Sequence, residues 1–180
     1  GENSVRTYSI QSSPIIDEDM AITVRAIPGG KVSNFLLSKG SPDLEVELLD
    51  ISGQFFVEPV ASQRRHFIMF AGGSGITPII SMIRTILKAE QKSVISLVYA
   101  NSTYDRIIFH DELREIQAEF SSNFKVLDVI SNESSIPEGT SVFYKARLSR
   151  LIAKKTIKSL IQEHELPTEF YLCGPQGFMD

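Results

Sequence analysis

The sequence predicts an α/β domain, with a mostly parallel sheet and flanking helices, that is preceded by part of an antiparallel β-barrel. Two observations lead to this fold class. After about residue 62, apolar runs typical of buried strands alternate with helical patterns, as they do in parallel sheets. Before that point, short segments of alternating polar and apolar residues are separated by turns, as in antiparallel barrels. We therefore divide the chain into domains over 1–62 and 63–180.

The first region contains patterns for three or four short strands and one short helix. The helix pattern starts at Ser33, whose hydroxyl we expect to cap its amino end. So few strands do not close a barrel, and we expect the chain to be a fragment of a longer protein whose earlier strands complete it. The strands are predicted over 6–10, 20–27, 44–48 and 51–56, and the helix over 33–37.

The second region alternates four strand patterns with three helical patterns. The helix after its first strand has a wide apolar face, which predicts close packing on the sheet. Residues 142–144 fit either a short strand or an extended loop, and we expect the last long helix to break near Lys154. The strands are predicted over 66–71, 94–100, 124–130 and 169–173, and the helices over 77–90, 109–120 and 148–163.

A glycine-rich loop separates the first strand of the second region from its helix. Gly72, Gly73 and Gly75 follow the strand, and Thr77 and Pro78 suit the helix cap and first helical position. Glycines there let the backbone approach a phosphate, which the amides of a helix N-terminus attract. The order is not the usual dinucleotide fingerprint, because proline replaces the third glycine, and the lysine of a P-loop is absent. Taken alone, the loop fits a tight turn without a ligand equally well.

Three candidate groups are expected at one edge of the predicted sheet. The glycine loop, Asn101 and the run Cys173, Gly174 and Pro175 each follow the carboxyl end of a strand. Ligands of parallel α/β sheets bind beyond those ends, so the convergence predicts a nucleotide site. Cys173 by itself is more simply explained as a small residue at a strand end.

The first region has weaker candidates for ligand contacts. Arg6 could bind a phosphate through its guanidinium group, and Tyr8 offers an aromatic face to a planar ring. Taken alone, a surface ion pair and a half-buried tyrosine explain these two residues better. Residues 30–33 form a second candidate anion site at a helix start, although a capped helix without a ligand also explains them.

Composition and charge narrow the classes of protein. The 180 residues are 42% hydrophobic and 22% charged, as in ordinary globular proteins, and the net charge of −4 does not favour nucleic acid as a partner. The apolar runs are shorter than the roughly 20 residues that span a bilayer, and no secretory signal opens the chain, so we expect no membrane contact and a cytoplasmic location. The single cysteine excludes an internal disulfide and a four-cysteine iron–sulfur cluster within this chain, and the three histidines lack the spacing of metal ligands.

Taken together, the motifs resemble those of the ferredoxin–NADP reductase superfamily of flavoproteins. Segments 30–34 and 53–55 match its flavin domain, and the resemblance is strongest to reductase components of bacterial oxygenases, such as the phenylacetate-degradation type. It covers nearly all of the chain but lacks the family's first barrel strands, its C-terminal end and any iron–sulfur domain. Three motifs follow the family's order: Arg6-x-Tyr8-Ser9 on the flavin side, Gly73-x-Gly75-x-Thr77-Pro78 for the nicotinamide nucleotide, and Cys173-Gly174-Pro175 on the nicotinamide side.

The resemblance implies two cofactors, FAD and either NADH or NADPH, and assigns residues to each. It places Tyr8 against the isoalloxazine ring, Ser9 near flavin N5 and Arg25 on the strand beside the flavin. The residues implied to hold the flavin pyrophosphate end are Arg6, Gly30, Lys31, Val32 and Ser33. Those implied for the nicotinamide nucleotide are Gly72, Gly73, Gly75, Thr77, Pro78, Asn101, Cys173, Gly174 and Pro175. Nearest to the reacting atoms would be Tyr8, Ser9, Thr77 and Cys173.

The resemblance also implies an activity. A reductase of this kind passes hydride from NAD(P)H to FAD and then single electrons to a ferredoxin or 2Fe–2S domain. That acceptor, which could be fused beyond this chain, serves an oxygenase component. An electron-transfer subunit that turns over only with a partner, and a plain nucleotide-binding module, are the alternatives. The preference between NADH and NADPH stays open, because residues 101–106 carry both Asp105 and Arg106 after the second strand.

Overall fold

Residues 4–179 are described by a computed structural model, which contains one parallel sheet with helices on both faces. The strands are hydrogen-bonded in the order β3-β2-β1-β4, so that β1 lies inside the sheet and β4 at its edge. The elements in chain order are α1 (Lys31–Lys39), β1 (His66–Gly72), α2 (Ile76–Ala89), β2 (Val94–Asn101), α3 (His110–Glu119), β3 (Phe124–Ile130), α4 (Arg150–His164), β4 (Thr168–Cys173) and α5 (Gln176–Met179).

Strand β1 is buried along its whole length because it has a parallel neighbour on each side and helices on each face. In the register, Phe67 pairs with Ile95 of β2 and with Glu169 of β4. Its side chains alternate between two apolar clusters, as the two-residue period of a strand requires. Phe67 and Met69 face the larger cluster with α2 and α3, and Ile68 faces the smaller cluster with α4. The predicted α/β fold class is confirmed.

Among the helices, α2 contributes the most buried apolar side chains to the larger cluster. Its apolar residues recur at helical spacing, so one wide face is covered by the sheet. Burying each large aliphatic side chain contributes about 1.5–3 kcal/mol, which makes this helix a main source of stability. The fully buried residues of that face are Ile76, Ile79, Ile80, Ile83 and Ile86.

The local predictions in the second region differ in their outcome. The four long strands stand within a residue of their predicted bounds. The predicted break is wrong, because helix α4 runs without interruption through Lys154. Of the two alternatives for residues 142–144, the structure has the extended loop, with a single parallel bridge between Tyr144 and Val129. Helix α2 starts at Ile76, one residue before its predicted start, because a 3₁₀ turn over Gly73–Gly75 leads directly into it.

Between residues 4 and 62 the structure contains helix α1 but no strand ladder. The predicted strands over 6–10, 20–27, 44–48 and 51–56 are wrong for this structure, in which one antiparallel bridge joins Ile10 and Ile22. A strand needs a ladder of hydrogen bonds to a neighbour, and beyond this single bridge these segments have none among the described residues. The predicted cap is also wrong: Gly30 occupies the cap position, and the buried Ser33 hydroxyl has no hydrogen-bond partner among the residues described.

A buried charged network fixes the junction of the two regions. Glu90, at the end of α2, is fully buried and accepts hydrogen bonds from the Val60 amide at 2.8 Å and from Arg65 Nε at 2.8 Å. Arg65 also binds Glu169 of β4 at 2.6 Å. Burial alone would raise the pKa of Glu90, but the hydrogen bonds from Arg65, Ser93 and the Val60 amide outweigh it and lower that pKa. The chain entering β1 is therefore held by charge-assisted bonds.

Two kinds of feature do not occur between residues 4 and 179. No helix in that range is long and apolar enough to cross a membrane. Nor do three His, Cys, Asp or Glu side chains of that range come together as metal ligands would.

Candidate functional site

The glycine loop lies where β1 ends and α2 begins, at the carboxyl edge of the sheet. Gly73 has a φ of +49°, a left-handed conformation that glycine adopts without steric cost. A Cβ built on Gly73 would meet no atom within 4 Å. The backbone of Gly73 is therefore open on its outer side, and a ligand can approach it closely.

Gly75 is needed for a different reason. A Cβ on Gly75 would lie 2.1 Å from the carbonyl oxygen of Cys173, a backbone atom that cannot move aside cheaply. This close approach holds the glycine loop against the end of β4. Gly72 and Gly174 face the ring of Phe178, which a Cβ on either residue would meet at 2.9 Å or less. The glycines thus bring two of the predicted motifs into direct contact.

Tyr99, on β2, holds the same loop through a hydrogen bond from its side chain. Its hydroxyl donates to the carbonyl oxygen of Gly73 at 3.1 Å and lies 3.4 Å from that of Ile108. The side chain is fully buried, and burial raises its pKa well above the ordinary value of 10.0, so the hydroxyl stays a donor. Tyr99 falls within the predicted strand over 94–100, but the sequence does not reveal this role, because no local pattern signals a contact with Gly73.

Thr77 and Pro78 lie inside the first turn of α2. The Thr77 hydroxyl donates to the carbonyl oxygen of Ser74 at 3.0 Å and does not cap the helix, so the predicted cap is wrong. Pro78 is the third helical residue rather than the first. Its missing N–H still costs nothing there, since the first four amides of a helix have no intrahelical acceptor. Thr77 instead stabilises the turn that shapes the loop.

Asn101 and Cys173 complete the carboxyl edge beside the loop. Asn101 is the last residue of β2 and is 8% exposed, and its side-chain amide nitrogen has no acceptor of normal hydrogen-bond geometry among the described residues. Cys173 ends β4, and burial raises the pKa of its thiol, which is therefore neutral at pH 7. The structure thus brings together the three strand ends that the sequence predicted to converge.

The loops after β2 and β3 also meet at this edge. The amide of Ser131 donates to the carbonyl oxygen of Asn101 at 3.1 Å, and that of Asn132 donates to Ser102 at 2.8 Å. Arg106, considered above for cofactor preference, lies exposed in a 3₁₀ turn over Tyr104–Arg106. The loop after β3 therefore belongs to the candidate site, which sequence reasoning missed.

These features fit the phosphate end of a nucleotide. The outer side of Gly73 is open, the loop leads into the N-terminus of a 14-residue helix, and a buried amide nitrogen lacks an acceptor at the same edge among the residues described. Backbone amides at a helix N-terminus bind anions through hydrogen bonds and the helix dipole. Neither titratable group beside the loop is an acid or base at neutral pH, because the Cys173 thiol is neutral and the Tyr99 hydroxyl is engaged with Gly73.

A second candidate site is a cleft of about 360 Å³ in the first region. Its lining brings together six of the predicted flavin residues, Arg6, Tyr8, Gly30, Lys31, Val32 and Ser33. The buried hydroxyl of Ser33 lacks a partner within the described part of the chain, and the N-terminus of α1 opens there, which fits a phosphate-bearing ligand.

Two predicted flavin residues do not line this cleft. Ser9 and Arg25 are both exposed and lie outside its wall. Arg6 lines it but is exposed, and its guanidinium donates to the carbonyl oxygen of Val5 at 2.6 Å. The cleft therefore gathers six of the eight predicted flavin residues, and it leaves Ser9 and Arg25 outside its wall.

Comparison with known proteins extends these findings. Residues 69–180 match the oxidoreductase NAD-binding domain family. The chain is 31% identical over 174 residues to the 3-ketosteroid-9-alpha-monooxygenase ferredoxin reductase component of Mycobacterium tuberculosis, with 97% of this chain and 43% of that protein aligned. It is 29% identical over 180 residues to one subunit of the 1,2-phenylacetyl-CoA epoxidase of Escherichia coli, with 100% and 49% aligned. The chain thus spans less than half the length of these two relatives.

A solved structure shows the same fold. The ferredoxin–NADP⁺ reductase of Plasmodium falciparum with 2'P-AMP superposes with a TM-score of 0.72 at 21% identity, covering 99% of this chain and 69% of that one. The alignment includes the region before residue 63 as well as the parallel sheet. The similarity in fold therefore extends to the part of the chain that lacks a strand ladder here.

Proposed function

The chain belongs to the oxidoreductase NAD-binding domain family, within the ferredoxin–NADP reductase superfamily, and on that premise we propose that it is part of a flavin-dependent NAD(P)H oxidoreductase that supplies electrons to an oxygenase system. When bound, NAD(P)H would supply hydride to FAD, and the flavin would release the two electrons singly to an iron–sulfur or ferredoxin-type acceptor. The acceptor and the oxygenase component are the proposed partners.

The observation that carries the proposal is the glycine loop at the carboxyl edge of the sheet. Gly73 is open to a ligand, Tyr99 fixes its carbonyl group, and Gly75 lets the loop lie directly on Cys173. We propose that the open backbone of Gly73 and the start of α2 bind the nucleotide pyrophosphate. Thr77 and Cys173 would then lie on the nicotinamide side, where the neutral thiol fills space without supplying charge.

The proposed flavin site is the N-terminal cleft. Arg6 and the amides over Lys31, Val32 and Ser33 would hold the flavin pyrophosphate. The Ser33 hydroxyl, which has no partner among residues 4–179, would gain an acceptor there. Tyr8 would lie against the flavin ring and exclude water from it. The protein contributes by fixing the distance and angle between the two cofactors, since the hydride step needs no proton from a side chain.

A second candidate is an electron-transfer subunit that turns over only with a partner. Many large apolar side chains of residues 4–62 are exposed, including Val46, Leu48, Leu49 and Ile51 at 61–68%. Large exposed apolar patches mark protein, membrane or ligand interfaces, and this candidate assigns the surface to a partner polypeptide. In that case the chain would bind the nucleotide alone but would bind FAD only with the covering polypeptide.

Visible absorption spectra of the purified chain with added FAD would test the proposal. We expect a bound-flavin spectrum that bleaches when NADH or NADPH is added without oxygen, and the nucleotide that bleaches it faster identifies the donor. Nucleotide binding without flavin binding would favour the second candidate. If the chain bound neither flavin nor nucleotide, that result would contradict both candidate functions.

A matched pair of glycine variants would tie the activity to the loop. Gly73→Ala forces a side chain into the open space at a φ of +49°, and we expect it to weaken nucleotide binding at least tenfold. Gly53→Ala is the control, because Gly53 also has a positive φ of +130° and open space around its Cβ but belongs to the first region rather than to the glycine loop. Equal effects of the two substitutions on binding would count against the site.

A further inference from the structure

The outer edge of α2 carries a polar row that binds the first region. Ser81, Arg84 and Thr85 stand at positions i, i+3 and i+4, so they share one face of the helix. All three bond to the segment over 11–17, which lies shortly after the proposed flavin residues Arg6 and Tyr8. The helix that starts at the glycine loop is therefore also the element that holds this segment.

The bonds from Ser81 and Thr85 are short and directional. Ser81 Oγ donates to the carbonyl oxygen of Ser12 at 2.7 Å. The Thr85 hydroxyl donates to the carbonyl oxygen of Ser81 at 2.7 Å, so the hydroxyl of Ser13, 2.8 Å away, donates to Thr85. Ser12 and Ser13 are 6% and 1% exposed, which makes them two of the few buried residues of the first region. Buried polar groups with fixed partners permit little displacement.

Arg84 lies at the centre of the row and joins three parts of the protein. Its Nη1 donates to the carbonyl oxygen of Gln11 at 3.2 Å and lies 3.5 Å from Asp17 Oδ2. Its Nε donates to Glu112 of α3 at 2.8 Å. Asp17 in turn accepts the amide of Ser13 at 2.5 Å. The guanidinium group thus binds a carbonyl and two carboxylates in a planar arrangement that a lysine cannot reproduce.

The geometry links this network to the proposed site. Arg84 follows the first residue of α2 by eight positions, about 12 Å along the helix axis. The segment it holds is continued by a backbone bond from the Gln11 amide to Ala21 at 2.8 Å and by the bridge between Ile10 and Ile22. A rigid helix therefore connects the glycine loop to the strand-like segment that bears Tyr8.

We propose that Arg84 is a positioning residue, which sets the place of the Tyr8 segment relative to the glycine loop and hence the separation of the two cofactors. This inference rests on the proposed function. It predicts that loss of the guanidinium group slows hydride transfer from the nicotinamide nucleotide to the flavin, while the first region still binds flavin and the second still binds the nucleotide. Hydride transfer is sensitive to misplacement on the order of 1 Å, which can cost roughly 100-fold in rate.

The test compares Arg84→Met, Arg84→Lys and the control Lys88→Met. Lys88 is one turn further along α2 and exposed, so its substitution removes a positive charge without touching the row. Amide hydrogen exchange of Gln11 and Ala21 reports the position of the segment without any cofactor. We expect exchange at these amides to rise at least tenfold in Arg84→Met, less in Arg84→Lys and not at all in Lys88→Met. Amides of β1 should keep their protection in all three variants.

The kinetic half of the test measures flavin reduction by NADH and the Kd of NADH. In Arg84→Met we expect the reduction rate to fall at least tenfold with the Kd within twofold, and Arg84→Lys should recover part of the rate. Unchanged exchange and rate in Arg84→Met would overturn the inference, as would equal losses in rate and in nucleotide affinity. If Arg84→Met loses protection throughout β1, Ser81→Ala provides a milder variant. We expect the same result from it, a slower flavin reduction with an unchanged Kd of NADH. Failure of Ser81→Ala to show this result would overturn the inference. An unsubstituted chain that neither binds nucleotide nor reduces flavin would instead overturn the proposed function.

Discussion

The two regions of this chain differ in how their apolar residues are used. In residues 63–179 the large apolar side chains form two clusters on the faces of a four-stranded sheet. Before residue 63, Val57 is the only buried hydrophobic residue among those described, and fifteen of the twenty-one exposed large hydrophobic side chains lie there. Both regions have strand-like sequence patterns, but only the second contains the neighbours that its strands need. A periodic pattern thus specifies a strand only where a partner is present to complete the ladder.

The largest expected effect comes from the backbone contact that closes the second region. Gly75→Ala places a Cβ 2.1 Å from the Cys173 carbonyl oxygen, and we expect it to reduce the free energy of unfolding by about 4 kcal/mol or more. Gly177→Ala is the control, since a Cβ there meets nothing within 4 Å. Urea denaturation of both variants measures the difference. Similar unfolding midpoints would show that the loop does not pack on β4 as described.

The junction between the regions should be the next most sensitive place. Glu90→Gln keeps the shape of a fully buried side chain but removes the charge that Arg65 neutralises and places an amide against the Val60 N–H. Breaking a buried pair in this way costs about 3–5 kcal/mol. The control Glu115→Gln changes a carboxylate on the exposed side of α3 and should cost under about 0.5 kcal/mol. Denaturation midpoints that coincide would refute the role given to Glu90.

Matched apolar truncations compare the two regions directly. Ile80→Ala removes a fully buried side chain of α2 and should cost about 2–5 kcal/mol. Leu48→Ala removes one that is 66% exposed and should cost less than about 0.5 kcal/mol. Thermal unfolding measures both. A large loss in Leu48→Ala would mean that the first region has a core of its own, contrary to the contrast drawn above.

The smallest expected effect is a pH dependence of folding stability that arises from His66, a buried residue of β1. Burial, with the charges of His164 and Lys125, lowers the pKa of His66 from 6.5 to about 4. Between these values the unfolded chain takes up a proton that the folded chain does not, so stability falls as the pH drops from 6.5 to about 4 and is unaffected above. The loss should be about 1–3 kcal/mol and should be smaller in His66→Gln. His110→Gln should retain it, and identical pH profiles of the native chain and His66→Gln would contradict the assignment.

The sequence predicted the second region well because each element carries its own signal. The alternation of buried strands with an amphipathic helix identified β1, the glycine loop and α2 before any contact was known. The details that it missed depend on residues remote in the chain. Gly75 is required by Cys173, Tyr99 supports Gly73, and Arg84 binds Gln11, none of which has a local pattern.

The candidate sites divide in the same way. The sequence correctly predicted that three strand ends would converge, because parallel topology places them at one edge. It also assigned Ser33 and Thr77 as caps, which was wrong, because glycine and a 3₁₀ turn occupy the cap positions instead. For Ser9 and Arg25 the predicted flavin contacts stay predictions, since the cleft leaves both outside its lining.

The most direct test of the central claim is a titration of the ¹⁵N-labelled chain with NADH, followed by amide chemical shifts. This measurement requires no bound flavin and reports each residue separately. The account predicts saturable shifts at Gly73, Ser74, Asn101 and Cys173, with smaller changes in residues 44–51. Shifts absent from the glycine loop at millimolar NADH, or confined to residues 4–62, would contradict the claim that the carboxyl edge of the sheet is the nucleotide site.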